Sequence, residues 1–192
     1  GLTDMGQPTW DWFIDPSMGI GYVRLTSFNE DSFEDFMKAI DEMRRQRPLH
    51  GLVLDLRGNP GGLLTSATDF CNLWVPQRVL VSTENREGET TSSRMAEPTR
   101  AALKDLPVVV LVNQSSASAS EIVAGAMKNH DRAILIGETT FGKGSVQLVF
   151  NDLPDKAALK LTIAQYLTEP GDISIQGTGV TPDIQLDPMT VD

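Results

Sequence analysis

Two short apolar runs do most to limit what this chain can fold into. HGLVLDL (residues 50–56) and LPVVVLV (residues 106–112) are nearly unbroken stretches of leucine and valine, each seven residues long. A membrane-spanning helix needs about 20 such residues. An apolar run this short, without polar alternation, reads instead as a strand covered on both faces. Strands of that kind belong to a sheet with helices laid across it. The intervening sequence supplies the helices. In residues 29–47, Phe33, Phe36, Met37, Ile40 and Met43 fall at helical spacing, Arg44, Arg45 and Arg47 suit a helix C-terminus, and Pro48 stops it. Residues 63–73 and 118–129 read as further helices, and residues 19–26, 79–83, 133–136, 145–150 and 158–166 as strands. Residues 84–96 are polar and read as an exposed connection, with 101–106 leading out of it. The tail, 171–187, reads as loop with short edge pairings. The fold class expected is therefore α/β. Residues 1–18, with Trp10, Trp12 and Phe13, show no usable period and are expected to form an N-terminal arm packed on the remainder, residues 19–192.

Composition removes several classes of function. Sixteen basic against 26 acidic residues give a net charge of −10. A surface so acidic repels phosphate backbones, so nucleic acid is not expected as a partner. Cys71 is the single cysteine, which excludes an intramolecular disulfide framework and a multi-cysteine zinc site. His50 and His130 are the only histidines, and neither has a second histidine or a carboxylate at ligand spacing. No metal or other cofactor is expected. The opening GLTDMGQPTW lacks the basic and apolar regions of a targeting signal. A chain that starts at Gly1 is expected to be a processed or excised fragment, so the missing signal does not fix a compartment.

Two motifs invite a chemical reading and one of them fails. GETTFGK (residues 137–143) satisfies G-x-x-x-x-G-K. The next residue, however, is Gly144 rather than the Ser or Thr that reaches Mg²⁺, and SVQLVF then alternates like a strand instead of opening a helix. There is no G-x-S-x-G elbow. The second motif is the junction from the strand at 107–112 into NQSSASASE (residues 113–121). Ser118-x-x-Glu121 is a capping box, so Ser118 can be simply a helix cap. The same placement would put a serine at the carboxyl edge of a sheet, beside the unpaired N–H groups of a helix start, with the Ala119 N–H the nearest donor for an oxyanion. A nucleophilic serine needs a base. A lysine of ordinary pKa, about 10.4, is neutral only about once in several thousand at pH 7, so it must be depressed, which burial among apolar groups does. Lys143, between Gly142 and Gly144 and just after Phe141, is the candidate; the plain alternative is a surface lysine in a glycine-rich turn.

At these residues the sequence resembles the carboxyl-terminal processing peptidases, also called tail-specific proteases. Residues 108–147 are similar to that family's catalytic segment, DLRGNPGG (residues 55–62) to its oxyanion loop, and residues 20–28 and 161–184 to its flanking core segments. The resemblance implies a ClpP/crotonase-like core of repeated β-β-α units and makes residues 19–192 a peptidase catalytic core. It implies Ser118 as nucleophile and Lys143 as general base, 25 residues apart, with Gln147 accepting a hydrogen bond from the lysine amine. Four residues of straight strand span about 13 Å, so the Gln147 role requires the chain to bend near Gly144. The oxyanion hole would combine the Ala119 N–H with one from Gly61 or Gly62. Ser116 and Ser120 lack the family's spacing to the lysine. The PDZ domain that usually precedes this core has no room in residues 1–18, so the expectation is either that it was cut away or that this is a core-only member. The implied substrates are polypeptides cut near their C-termini, outside the cytoplasm: in the periplasm, in the cell envelope or secreted. Two other functions remain open: a peptide- or ligand-binding core of the same fold without turnover, and acyl-CoA chemistry. Oligomeric state is not indicated.

Overall fold

The computed structural model of the chain describes residues 11–150 and 158–186. Trp10 and the rest of residues 1–10 lie outside the described residues. In chain order the elements are β1 (Phe13–Asp15), β2 (Ile20–Arg24), α1 (Ser32–Gln46), β3 (Gly51–Asp55), α2 (Leu64–Trp74), β4 (Val79–Glu84), β5 (Thr90–Met95), a 3₁₀ turn (Pro98–Arg100), β6 (Val108–Val112), α3 (Ala119–Asn129), β7 (Ala133–Gly137), β8 (Ser145–Phe150), β9 (Leu159–Thr168), β10 (Ile173–Ser174) and β11 (Ile184–Gln185). The α/β class expected from the apolar runs is what the chain forms.

One sheet runs in the order β1-β2-β3-β6-β7-β11, parallel throughout except for the antiparallel β1 at its edge. Its register aligns Val23, Leu54, Val110 and Leu135 in one row across four strands. All four are buried, the last three fully. The other face is half-buried at Val53, Val109 and Leu111, so both runs stay apolar without polar alternation. A second, antiparallel sheet is ordered β10-β9-β4-β5, with β8 also paired to β9. The sequence reading placed 84–96 in an exposed connection. Instead Thr90–Met95 is a strand, every residue of it exposed, held by pairing with β4. Its polar TTSSRM carries no burial pattern, because its stability comes from the ladder and not from the core.

An aromatic cluster ties the helices to the loop that follows β2. Phe70 of α2 meets Phe28, Phe33 and Phe36 with ring centroids 5.4, 5.8 and 4.9 Å apart, and Phe36 lies 6.0 Å from Trp74. Edge-on and tilted pairs of this kind add about 0.5–1.5 kcal/mol each beyond their buried area. Phe28 thereby becomes a fixed post, and its backbone pairs with Gly62. Phe13 is buried in the same core. Among the described residues no helix is long and apolar enough to cross a membrane.

Candidate active site

Three neighbouring strands, β3, β6 and β7, end at the carboxyl edge of the parallel sheet and release three loops side by side. The loop after β3 is R-G-N-P-G-G, the loop after β6 is N-Q-S-S-A-S, and the loop after β7 is E-T-T-F-G-K-G. The candidate residues therefore converge because their strands are adjacent.

Ser118 is the residue just before α3, with φ 56° and ψ −116°. A non-glycine residue in this region costs on the order of 1–3 kcal/mol and persists only where the surroundings impose it. The surroundings here are specific. The Ser118 carbonyl accepts from the Glu121 and Ile122 N–H groups at 2.9 and 3.0 Å, and the Ser118 N–H donates to Glu121 Oε2 at 2.8 Å. The serines on either side are committed elsewhere. Ser116 Oγ donates to the Leu56 carbonyl at 2.8 Å, and Ser120 Oγ to the Asn59 carbonyl at 3.0 Å; both residues are fully buried. Ser118 is half-buried. No local rule of sequence separates these three serines; their hydroxyl partners do.

The glycine loop is positioned by Asn59, which is fully buried. Its side chain donates to the Leu25 carbonyl at 2.9 Å and accepts the Gly61 N–H at 2.9 Å, and its carbonyl accepts the Ala117 N–H at 3.0 Å. The Gly61 carbonyl and the Leu63 N–H then pair with Phe28 at 3.0 and 2.8 Å. Gly61 touches the serine turn so closely, at φ 98°, that an added Cβ would sit 2.6 Å from the Ala117 oxygen and 2.8 Å from both the Ala119 nitrogen and Ser118 Cβ. Of the two glycines offered as oxyanion donors, Gly61 has its N–H bonded to Asn59. Among the described residues neither the Gly62 nor the Ala119 N–H has an acceptor.

The lysine loop is pinned by Glu121, one turn into α3 and fully buried. Oε2 accepts the Ser118 and Lys143 N–H groups, both at 2.8 Å. Oε1 accepts the Gly142 N–H and the Thr140 hydroxyl, both at 2.6 Å. Thr140 Oγ1 in turn accepts the Val180 N–H at 2.7 Å, Gly177 N–H donates to the Gly142 carbonyl at 2.8 Å, and Gly144 N–H donates to Gln176 Oε1 at 2.9 Å. Sequence reasoning saw Glu121 only as half of a capping box and did not assign Asn59, Thr140 or Gln176. The box was the one available signal.

Two expectations about this loop are corrected. Lys143 is exposed, and so is Phe141, so the side chain is not enclosed among apolar groups. The two flanking glycines let the backbone pack against Gln176 and Gly177, which turns the backbone inward and the amine outward. Among the described residues the Lys143 amine has no hydrogen-bond or ion-pair partner, so it bonds neither to the Ser118 hydroxyl nor to Gln147. The β8–β9 register shifts between Val146 and Gln147, where Gln147 pairs with Thr162.

Beside this loop cluster, Asp55 is buried at the end of β3. Burial pushes its carboxyl up, but hydrogen bonds from Arg57 (2.9 and 2.7 Å) and the Tyr22 hydroxyl (2.6 Å) outweigh that and hold it below its ordinary range. Among the described residues there is no cluster of His, Cys, Asp and Glu able to hold a metal ion.

Comparison with known proteins gives a consistent result. A family described as Peptidase family S41 matches residues 19–186. The chain is 44% identical over 168 residues to a carboxyl-terminal-processing protease of Synechocystis, covering 88% of this chain and 38% of that protein. It is 45% identical over 166 residues to the chloroplastic carboxyl-terminal-processing peptidase 3 of Arabidopsis thaliana, covering 86% and 31%. The solved structure of a photosystem II D1 C-terminal processing protease superposes with a TM-score of 0.81 at 37% identity, covering 93% of this chain and 46% of that one. The chain thus spans less than half the length of these relatives.

Proposed function

From the premise that this chain belongs to peptidase family S41, we propose that it is the catalytic core of a serine endopeptidase working through a Ser118–Lys143 dyad. The observation that carries this reading is the strained Ser118 turn, set beside two backbone donors, Ala119 and Gly62, that have no other acceptor among the described residues. Backbone N–H groups left without acceptors beside a serine are the donors that a developing oxyanion requires, and the positive end of α3 adds to their field.

The Lys143 side chain swings from its exposed position towards Ser118 and takes the hydroxyl proton. The Ser118 oxygen attacks the scissile carbonyl, and the oxyanion rests on the Ala119 and Gly62 N–H groups. Lys143 returns the proton to the leaving amine, and water then hydrolyses the acyl-enzyme. Gln147 accepts a hydrogen bond from the amine in that swung-in position. Polypeptides cut near their C-termini are the proposed substrates, in keeping with the names of the carboxyl-terminal-processing relatives, and an extracytoplasmic compartment is the proposed location.

The test is digestion of an unfolded protein by the chain and its Ser118→Ala and Lys143→Ala variants, with cut sites read by mass spectrometry and Ser116→Ala as a control that keeps the nucleophile. Both dyad variants lose cleavage; if both cut as the parent does, the dyad is wrong. One observation favours the second reading, a peptide-binding core without turnover: Ser118 and Lys143 are not hydrogen-bonded to each other. Saturable peptide binding with no cleavage by the parent chain would select it.

A further inference from the structure

Glu121 does more than cap a helix. Its carboxylate is fully buried, and its four hydrogen bonds join the two segments on which the proposed dyad rests. Burying a carboxylate costs several kcal/mol unless its lone pairs are filled. Here three backbone N–H groups and one hydroxyl fill them, in charge-assisted bonds that are stronger than neutral ones. The position one turn into α3 also places the negative charge at the helix's positive end. A helix cap alone needs the Ser118 contact only. The other three donors come from Thr140, Gly142 and Lys143, on a loop from a different strand.

We infer that Glu121 is a positioning residue that sets the spacing between Ser118 and Lys143. Both residues donate their N–H to one oxygen, at 2.8 Å each, so their nitrogens stay within twice that distance whatever the lysine side chain does. The arrangement fixes the root of the lysine while leaving its amine free to turn. It also explains why Ser118 keeps a strained φ: the Ser118 N–H is directed at the carboxylate, and returning φ to a relaxed value would aim it elsewhere. The inference rests on the dyad reading for its catalytic consequence but not for its structural content.

Glu121→Gln separates the two. A glutamine offers one acceptor oxygen where two are needed, and its amide hydrogens face donors. Amide hydrogen exchange is measured residue by residue in the parent and the variant. The expected result is that exchange at Ser118 and Lys143 accelerates by 100-fold or more, together, while the α3 amides from Val123 to Met127 keep their protection. For the same variant kcat on a peptide substrate falls by 100-fold or more while KM stays within threefold. Asn72→Ala is the matched control. Asn72 is buried, and its side chain donates to the Glu97 carbonyl at 2.9 Å and accepts the Glu97 N–H at 2.8 Å, in another part of the fold. It loses stability but keeps kcat.

Unchanged exchange at Ser118 and Lys143 in Glu121→Gln overturns the proposal, as does acceleration spread evenly over α3, which would mark a general loss of structure. Where the parent chain cleaves nothing, the exchange result still decides the role of Glu121, and the dyad reading fails by itself.

Discussion

Gly61→Ala probes the contact between the glycine loop and the serine turn. An alanine there incurs two separable penalties. The first is conformational: at φ 98° an L-residue costs on the order of 1–3 kcal/mol. For a chain of this length, where about 1 kcal/mol moves Tm by roughly 2–4 °C, that is a drop of about 2–12 °C. The second is steric. A Cβ 2.6 Å from the Ala117 oxygen is roughly 1 Å inside the separation at which such atoms pack. Neither side yields easily, because the Asn59 carbonyl holds the Ala117 N–H and the Ser120 hydroxyl at 3.0 Å each. The loop must therefore recede from Ser118 and carry the Gly62 N–H with it, and a displacement of about 1 Å at a reacting centre costs on the order of 100-fold in rate. Gly88→Ala supplies the comparison: Gly88 has φ 81° and nothing within 4 Å of an added Cβ, so it incurs the first penalty without the second. The assay is kcat on a fluorogenic peptide, taken well below both melting temperatures. Gly61→Ala loses about 100-fold or more, and Gly88→Ala stays within twofold despite a comparable fall in Tm. Cleavage by Gly61→Ala within threefold of the parent, or equal losses in both variants, would refute the reasoning.

Two further predictions concern other groups. Burial pushes the Cys71 thiol up to about 12, so a disulfide reagent leaves the native chain unlabelled at pH 8 and labels it fully in guanidinium; rapid native labelling would contradict the packing around α2. Asp55 is held below its ordinary carboxyl range, so the stability it adds is complete above about pH 4 and is lost as pH falls towards the lower folded value. Asp55→Asn should cost about 2 kcal/mol near neutrality and flatten the acid limb of a Tm-against-pH curve. An unchanged limb would show that the contacts from Arg57 and Tyr22 do not favour the charged form.

The sequence made legible what depends on local pattern. The runs at 50–56 and 106–112 became β3 and β6 because one face is buried and the other half-buried, which leaves an unbroken apolar signature. The helix of 29–47 became α1 because its spacing follows one buried stripe. That three loops meet at the strand ends follows from the strand order, which the sequence did not show. What stayed hidden is set by partners far along the chain. Gly61 and Gly62 look alike until Asn59 takes one N–H and not the other. Phe141 before Lys143 suggests an apolar enclosure, yet the backbone contacts with Gln176 and Gly177 turn both side chains outward. Thr90–Met95 has no pattern to read, since a strand at a sheet's rim can be polar on both sides. Residues 174–180 read only as part of a loop with short edge pairings, although Gln176, Gly177 and Val180 grip the lysine loop.

That grip has a consequence for the order in which the molecule is made. Chains emerge from the ribosome N-terminus first and begin to fold in that direction. Ser118, the glycine loop and α3 are all synthesised before the segment that holds the loop bearing Lys143. A growing chain therefore carries its serine turn and its donors early, but the lysine's anchorage is complete only after Val180 has been added and has met Thr140. The dependence on a late segment delays the proposed dyad until residues 174–180 have joined the lysine loop.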